Sequence, residues 1–356
     1  MISGQKMNIN RINKTESKPV FSSKRNAESV PQNDLRSDHL RNLELRKKNA
    51  SHVVVLLALR NGEKYLSDQL YSIKNQTHND WSLIVSDDAS SDGGRALVQC
   101  FARAEKSRSV VLIDGPNAGF AANFLHLIRR AEPSSPFVAF SDQDDAWLPK
   151  KLEHGIRQLQ SVDNGVPAIY CGRTWICGPK LRKIRPSYQF QHRPAFSNAI
   201  VQNIGGGNTM IMNNAALKLV QRASFGVTDI PSHDWWTYQV VSGAGGQVIY
   251  DNEPMVLYRQ HDGNVIGSAH TLFATFHRLG MVLSGQFKKW NDSNLAALNA
   301  CRDVLTPENR KVLDTFGFAK AASLPVRIKT VMRSNVRHQT RLGNAGLLLA
   351  TVLNRL

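Results

Sequence analysis

The segment VVVLLAL, residues 53–59, is an unbroken run of valine, leucine and alanine side chains. Such a run predicts a β-strand that is buried on both faces, as in a parallel sheet. Apolar residues at helical spacing follow between Tyr65 and Ile73, and a second strand pattern, WSLIVS, occupies residues 81–86. A strand, a helix and another strand in this order form a βαβ unit, so this part of the chain predicts an α/β fold.

The same alternation continues toward the C-terminus. Helical patterns at 93–104, 119–131 and 149–159 alternate with strand patterns at 109–114 and 137–141. We therefore expect a mainly parallel central sheet with helices on both faces. Short strand patterns at 168–171 and 247–250 follow in a less regular α+β half, and the chain ends in a helical region.

Three parts are predicted along the 356 residues. Residues 1–50 are rich in Asn, Ser, Lys and Arg without an apolar period, which is typical of a disordered basic segment. Residues 51–268 form the α/β domain, and residues 269–356 form a helical, basic extension. No stretch is long and apolar enough to cross a bilayer, and the N-terminus lacks the apolar core of a signal peptide. We expect a cytoplasmic protein, peripheral on the inner face of the membrane.

The formal net charge of +17 is concentrated at the two ends. Residues 1–50 hold eleven Lys and Arg against five Asp and Glu, and residues 320–356 hold seven against none. This pattern indicates anionic partners of the tails, with an anionic membrane surface favoured. Nucleic acid is an unlikely partner because no DNA- or RNA-reading motif is visible. The alternative for the C-terminal end is a solvated charged helix packed on the domain.

Two acidic clusters follow predicted strands: Asp87 and Asp88, and the tetrapeptide DQDD at 142–145. Ligands of a parallel sheet bind beyond the carboxyl ends of its strands, so both clusters are expected at one binding edge. Such dense carboxylates repel one another unless a cation neutralises them, which favours Mg²⁺ or Mn²⁺ with phosphate oxygens as further ligands. The ordinary structural explanation for either cluster is a solvated turn or a helix cap.

Four motifs carry a family resemblance: NGEKYL at 61–66, SDDASSDG at 86–93, a segment with Asn117, Gly119, Phe120 and Asn123, and FSDQDDAWLPKKL at 140–152. In this order and spacing the chain resembles the family 2 glycosyltransferases over about residues 52–265. Within them it is most similar to bacterial rhamnosyltransferase-like enzymes of surface polysaccharide synthesis. The resemblance implies a GT-A fold, a nucleotide-diphosphate sugar donor and inversion at the anomeric carbon.

The resemblance also implies roles for individual residues. Asp87 and Asp88 match the acidic pair at the nucleoside, and Asp142 with Asp144 matches the D-x-D that holds metal and diphosphate. His261 matches a C-terminal histidine near the metal, although by itself it is as readily an ordinary core or surface histidine. The remaining residues expected at the donor are Arg60, Asn61, Asn117 and Gln143.

Asp234 in SHDWW matches the general base of the family. An inverting transfer needs one base to take the proton of the acceptor hydroxyl, and burial beside Trp235 and Trp236 would suit that task. These tryptophans are expected either to contact sugar faces or to lie in the core below a helix cap. Gly205, Gly206 and Gly207 resemble an acceptor-side segment of the family, and a simple loop is the alternative.

These features together predict an inverting, metal-dependent glycosyltransferase. Its donor is a dTDP-, UDP- or GDP-linked sugar, with rhamnose as a candidate, and its acceptor is a saccharide or a lipid-linked glycan. The alternative is a non-catalytic polyanion- or membrane-binding protein on a transferase-like fold. That alternative predicts salt-dependent binding that survives the loss of Asp142 and Asp144.

Overall fold

The structure, a computed structural model, describes residues 50–261 and 284–356. The predicted disorder of the N-terminal segment therefore lies outside the described residues except at Ala50, and so does the predicted boundary between residues 268 and 269. Within the described part the strands are β1 Val53–Leu59, β2 Trp81–Asp87, β3 Val110–Asp114, β4 Phe137–Ser141, β5 Ala146–Trp147, β6 Ala168–Cys177, β7 Lys183–Pro186, β8 Ile211–Asn213 and β9 Gln247–Arg259.

The α-helices of the described part fall into two groups. Those of the sheet region are α1 Glu63–Lys74, α2 Gly94–Ala104, α3 Phe120–Arg130, α4 Lys151–Leu159, α5 Phe196–Ala199, α6 Asn214–Ser224 and α7 His233–Gly243. Those of the C-terminal region are α8 Gln286–Ala300, α9 Pro307–Ala321, α10 Leu324–Arg333 and α11 Arg341–Val352. None of the helices in the described ranges has the length and apolar content needed to span a bilayer.

The strands form one mixed sheet with the order β3-β2-β1-β4-β8-β6-β9-β5, and β7 pairs with β6. Strands β1 to β4 are parallel, with Leu59 level with Asp87 and Asp87 level with Asp114. Their carboxyl ends therefore share one edge of the sheet. Strand β8 is antiparallel to both β4 and β6, so it separates the parallel half from the longer β6–β9 pair.

Alternate side chains of β1 enter two different cores, as the pleat of a strand requires. Val54 and Leu56 pack with α3, α6 and α7 on one face. Val53, Val55 and Leu57 pack with α1, α2 and α4 on the other. The run VVVLLAL is thus a central strand covered by helices on both sides, which confirms the predicted layer arrangement.

The C-terminal helices have a third core of their own, which includes Phe316 and Leu347 and also Phe196 of the sheet region. This packing, together with a hydrogen bond from the Thr306 amide to the Gly243 carbonyl at 2.9 Å, attaches the helical extension to the end of α7. The predicted helical character of this region is confirmed from Gln286 onward.

Candidate active site

Three loops leave the carboxyl edge of the parallel strands in an unusual backbone conformation. Asn61, Ala89 and Asn117, which follow β1, β2 and β3, all have left-handed φ angles, of 50°, 63° and 53°. Asparagine adopts this region more readily than other residues, but alanine does so at a cost. Strain that is held by the surrounding structure is typical of functional edges, and here Ala89 carries it at the predicted donor edge.

Arg60 connects these loops. Its guanidinium donates to the Asp88 carbonyl at 2.5 Å and to Oδ1 of Asn117 at 2.7 Å, and it lies 3.5 Å from the Asp88 carboxylate. Its backbone is paired with Gln143, because the Arg60 amide donates to the Gln143 Oε1 at 2.8 Å and the Gln143 Nε2 donates to the Arg60 carbonyl at 2.9 Å. Four of the predicted donor residues are therefore joined in one network.

Asp87 and Asp88 are almost fully buried, with exposures of 4% and 1%. Asp87 accepts a hydrogen bond from Arg95 at 3.1 Å, and Asp88 accepts the backbone amide of Gly119 at 2.8 Å. Hydrogen bonds to Asp87 and Asp114 raise the pKa of Arg95. Both aspartates thus shape this edge of the sheet from within, and the guanidinium of Arg60 lies beside the Asp88 carboxylate.

The DQDD loop distributes its carboxylates among different partners. Asp145 is fully buried, where it accepts the side-chain amide of Asn208 and, at 3.0 Å, the backbone amide of Arg259. Burial raises the pKa of Asp145 to about 7, and the neighbouring Asp144 carboxylate adds to this. Burial likewise raises the pKa of Asp142, and the negative charges of Asp145, Asp144 and Asp234 raise it further.

Asp144 is directed toward the chain beyond β9. Its Oδ2 lies 2.9 Å from Nε2 of His261. The imidazole ring of His261 lies against Tyr65, with ring centroids 4.9 Å apart. Residues that are 117 positions apart in sequence thus meet at this edge of the sheet.

Arg259, which the sequence analysis did not select, organises this pair. Its side chain is 2% exposed and donates to the Asp144 carbonyl at 2.7 Å, to the Asp68 carboxylate at 2.7 Å and to the Pro179 carbonyl. The guanidinium also lies over the ring of Tyr65, 4.4 Å from its centroid. Arg259 therefore fixes both the loop that carries Asp144 and the ring on which His261 rests.

A cavity of about 460 Å³ opens beside this pair. It has the size of a ligand site. Asn61, Gln143, Asp144 and His261, four of the ten predicted site residues, line it. The other lining residues are Gly62, Lys64, Tyr65, Pro179 and Gln260. Lys64 and Tyr65 belong to the NGEKYL motif, but nothing in the sequence distinguished their side chains from those of any exposed first helical turn.

A divalent metal fits this donor set, with the protein supplying few of the ligands. In the described ranges no three His, Cys, Asp or Glu residues converge as a metal cluster, so Asp142 does not complete a cage with Asp144 and His261. Mg²⁺ and Mn²⁺ sites of phosphate-handling enzymes commonly use one or two carboxylates, and substrate oxygens and water complete the shell. The single imidazole favours Mn²⁺ over Mg²⁺.

Asp234 lies at the start of α7, where both of its carboxylate oxygens accept backbone amides. Oδ2 accepts from Gly207 at 2.9 Å and Oδ1 accepts from Trp235 at 2.7 Å. The side chain is 9% exposed. The negative charge of Asp234 also helps to raise the pKa of Asp142 in the DQDD loop.

Beneath Asp234, His233 stacks on Phe124 at 3.5 Å between ring centroids and lies edge-on to Phe140 at 4.8 Å. Burial lowers the pKa of His233 to about 4, so the ring is neutral. Gly207 is packed directly against it, since a Cβ added to Gly207 would lie 2.2 Å from Nε2 of His233. The Gly207 amide thus binds the carboxylate of the predicted base, and the absence of a side chain at Gly207 leaves room for the His233 ring.

The suggestion that Trp235 and Trp236 contact sugar faces is wrong. Trp236 is fully buried in the core beside α3 and α6. Trp235 is 6% exposed, donates from Nε1 to the Ala199 carbonyl at 2.6 Å and packs edge-on to Trp290. Residues at adjacent positions of a helix point in different directions, and here one direction leads into the core and the other to Trp290 of α8.

Comparisons with known proteins give a family for part of the chain. The family description that matches is "Glycosyl transferase family 2", over residues 54–224. Residues 54–224 therefore form a domain of glycosyltransferase family 2. The expected α/β class, with a mixed central sheet, helices on both faces and a helical C-terminal region, is confirmed by the structure.

Individual relatives of this glycosyltransferase are more distant. The dTDP-rhamnosyl transferase RfbG of Shigella flexneri is 28% identical over 245 residues, which are 65% of this chain and 81% of that protein. The putative teichuronic acid biosynthesis glycosyltransferase TuaG of Bacillus subtilis is 34% identical over 28% of this chain and 39% of that protein. A solved mannosyltransferase of Pyrobaculum calidifontis, PcManGT with GDP-Man and Mn²⁺, aligns over 87% of this chain and 88% of that one. Its identity is 16% and its TM-score 0.47, too remote to decide ligand or chemistry.

Proposed function

We propose that this glycosyltransferase is an inverting, metal-dependent hexosyltransferase of surface polysaccharide synthesis. It moves a sugar, with rhamnose as the first candidate, from a nucleotide-diphosphate donor to a saccharide or lipid-linked acceptor. The observation that carries the proposal is the 2.9 Å contact of Asp144 with His261 in the wall of the cavity. The activity named for the Shigella flexneri relative, dTDP-rhamnosyl transfer, supports a dTDP-linked donor, and UDP- and GDP-linked sugars are the alternatives.

At the donor, Asp144 and His261 hold the metal, and Asp142 adds negative charge beside it. A bound Mg²⁺ or Mn²⁺ supplies neutralisation of the charge that develops on the leaving diphosphate. Arg60 and Asn117 contact the nucleotide after they release each other, with Asn61 and Gln143 lining the cavity between nucleotide and metal. The roles of Asp87 and Asp88 are to accept amide or ribose donors of the nucleoside at the same edge.

At the acceptor, Asp234 is the base. Its carboxylate is held in one orientation by the amides of Gly207 and Trp235, so its remaining lone pairs are directed rather than rotating. The acceptor hydroxyl gives its proton to Asp234 while its oxygen attacks the anomeric carbon. The bond to the diphosphate breaks on the opposite side, and the configuration at that carbon inverts.

The acceptor is proposed to be presented at the inner face of the cell membrane, where the enzyme is peripheral. The end of the basic C-terminal extension supports this location, because five Lys and Arg side chains of residues 320–356 are exposed. They are Lys329, Arg333, Arg337, Arg341 and Arg355.

The role of Asp234 is tested with Asp234→Asn, which keeps the size of the side chain. We expect transfer to fall by roughly 10²- to 10⁴-fold while calorimetric binding of the donor stays nearly unchanged. Asp229→Asn is the matched control, because Asp229 is exposed and its carboxylate accepts from the Ser293 hydroxyl at 3.0 Å. Near-normal turnover of Asp234→Asn would refute the assignment.

The metal and the donor are tested together by thermal shift with dTDP-rhamnose, UDP- and GDP-sugars, each with EDTA or Mn²⁺. We expect one nucleotide class to stabilise the protein only with Mn²⁺, and Asp144→Asn to remove that stabilisation. Asp163→Asn, in an exposed turn, is the control. Transfer that persists in EDTA would contradict the metal role.

A further inference from the structure

Exposed apolar side chains are concentrated at the C-terminal end of the protein. Among the described residues fourteen large apolar side chains are exposed, and nine of these lie between Phe318 and Leu353. Soluble surfaces normally scatter such residues singly, and a concentration of them marks a contact surface. Eight of the nine belong to the last two helices or their immediate ends.

On α11 the exposed residues follow the helical period. Leu342, Leu348, Leu349 and Val352 lie on one side of the helix, with exposures of 36% to 60%. The opposite side carries Leu347, Ala350 and Thr351, which are buried against the C-terminal core. The helix therefore has two apolar sides, of which the protein itself covers one.

Helix α10 adds to the same region. Arg327 of α10 donates to the Thr351 carbonyl of α11 at 3.1 Å, so the two helices lie side by side. Val326 and Met332 of α10 are 42% and 75% exposed. We name as the C-terminal face the exposed apolar residues of both helices and their ends: Leu324, Val326, Met332, Leu342, Leu348, Leu349, Val352 and Leu353.

Cationic side chains accompany the C-terminal face. The five exposed Lys and Arg residues of this region form no ion pair within the part of the chain that the structure describes. Residues 320–356 contain no Asp or Glu that could offset them. By contrast, Lys320 is paired with Asp292, and Arg327 is buried on backbone carbonyls. The five exposed charges of residues 320–356 therefore lie on the same segment as the exposed apolar residues of α10 and α11.

This combination decides between three kinds of partner. A nucleic acid would satisfy the cations but leave the leucines in water. A second copy in a two-fold contact would bring the same cations against themselves, with no acidic residue to compensate. An anionic bilayer takes both, since its headgroups attract the cations and its acyl boundary takes up the apolar side chains.

We propose that the C-terminal face inserts into the surface of an anionic bilayer, with α10 and α11 lying in the plane of the membrane. The inference rests on the proposed function for its purpose, because a transferase with a membrane-presented acceptor gains from being held beside it. On insertion the exposed leucines of the C-terminal face leave water, and the exposed cations of the same segment give the preference for anionic lipid.

The test is flotation of the full chain with phosphatidylcholine vesicles that either contain or lack phosphatidylglycerol. The double variant Leu348→Gln/Leu349→Gln is expected to reduce partitioning by about tenfold per leucine. Lys329→Gln/Arg333→Gln is expected to reduce it by about fivefold per charge and only with the anionic vesicles. Phe225→Gln, an exposed apolar residue at the end of α6, is the control for a general loss of apolar surface.

Transfer to a soluble acceptor without vesicles is measured for every variant, and it should match that of the unaltered protein. Loss of that activity in the unaltered protein would count against the proposed function and not against the membrane contact. Absence of the unaltered protein from both kinds of vesicle, or equal flotation of the leucine variant, would overturn the contact. A dimer in light scattering that the leucine variant dissociates would likewise overturn it in favour of a second copy.

Discussion

Replacing Gly207 by alanine tests how the structure supports Asp234. The added Cβ would lie 2.2 Å from Nε2 and 2.8 Å from Cε1 of His233, distances that no packed carbon atom tolerates. His233 cannot retreat easily, because it is sandwiched against Phe124 and Phe140. Either the ring or the 206–208 backbone must therefore shift.

The magnitude follows from these contacts. Forcing one extra methyl group into a packed interior costs about 1–3 kcal/mol of unfolding free energy. A backbone shift would also lengthen the 2.9 Å bond from the Gly207 amide to the Asp234 carboxylate. A displacement of even about 1 Å at a catalytic group commonly costs about a hundredfold in rate. We therefore expect a larger loss in kcat than in donor affinity.

The assay combines chemical denaturation with steady-state transfer kinetics. Gly165→Ala is the matched control, because a Cβ at Gly165 meets nothing within 4 Å. The double variant Gly207→Ala/His233→Ala should lose less stability than the sum of its single variants, because removing the ring makes room for the methyl group. If Gly207→Ala unfolds and turns over like Gly165→Ala, the proposed support of Asp234 by this glycine is refuted.

Two further predictions concern Arg259 and His233. Arg259→Lys removes the planar guanidinium that donates to the Asp68 carboxylate and the Asp144 carbonyl. We expect a loss of roughly 2–4 kcal/mol of unfolding free energy and a higher Mn²⁺ concentration for half-maximal transfer. An unchanged Mn²⁺ dependence would contradict the organising role of Arg259. Burial lowers the pKa of His233 from 6.5 to about 4, so the unfolded chain binds an extra proton between these pH values and stability should fall by roughly 3 kcal/mol from pH 6.5 to pH 4. His233→Leu, of similar volume, should flatten that part of the denaturation profile, and an equally steep profile in the variant would show that another group titrates.

The parallel half of the fold was predictable because its strands are continuous apolar runs. β1 and β4 have the predicted bounds, and β2 and β3 differ from them by one residue. Two later strands are longer than predicted: β6 extends to Cys177 and β9 to Arg259. Their second halves include Arg173, Thr174 and Glu253, and a partly exposed strand of mixed polarity gives a weak periodic signal. β5 has only two residues, too few for any pattern.

Residues of the candidate site were predictable where they belong to a short sequence motif, as Asp144 does in the DQDD loop. It was not predictable where a residue acts through tertiary contacts. Arg259 stands beside His261 in sequence and resembles any charged residue at the end of a strand. Its importance arises because Asp68, Asp144 and Pro179, which are far apart in the chain, meet around it. For the same reason the sequence could not decide between the two expectations for Trp235 and Trp236, since only packing determines whether an aromatic ring contacts a ligand or the core.

The reciprocal hydrogen bonds between the Gln143 side chain and the Arg60 backbone have a consequence for redesign of donor preference. One loop follows β1 and the other follows β4, and the amide group of Gln143 joins them through one donated and one accepted hydrogen bond. Gly62 leaves the space for that amide, since a Cβ there would lie 2.7 Å from the Gln143 Oε1. Variant libraries that randomise only one of these loops will mostly contain proteins in which the two hydrogen bonds between the loops are lost. New sugar specificities should therefore be sought by varying both loops in the same clone.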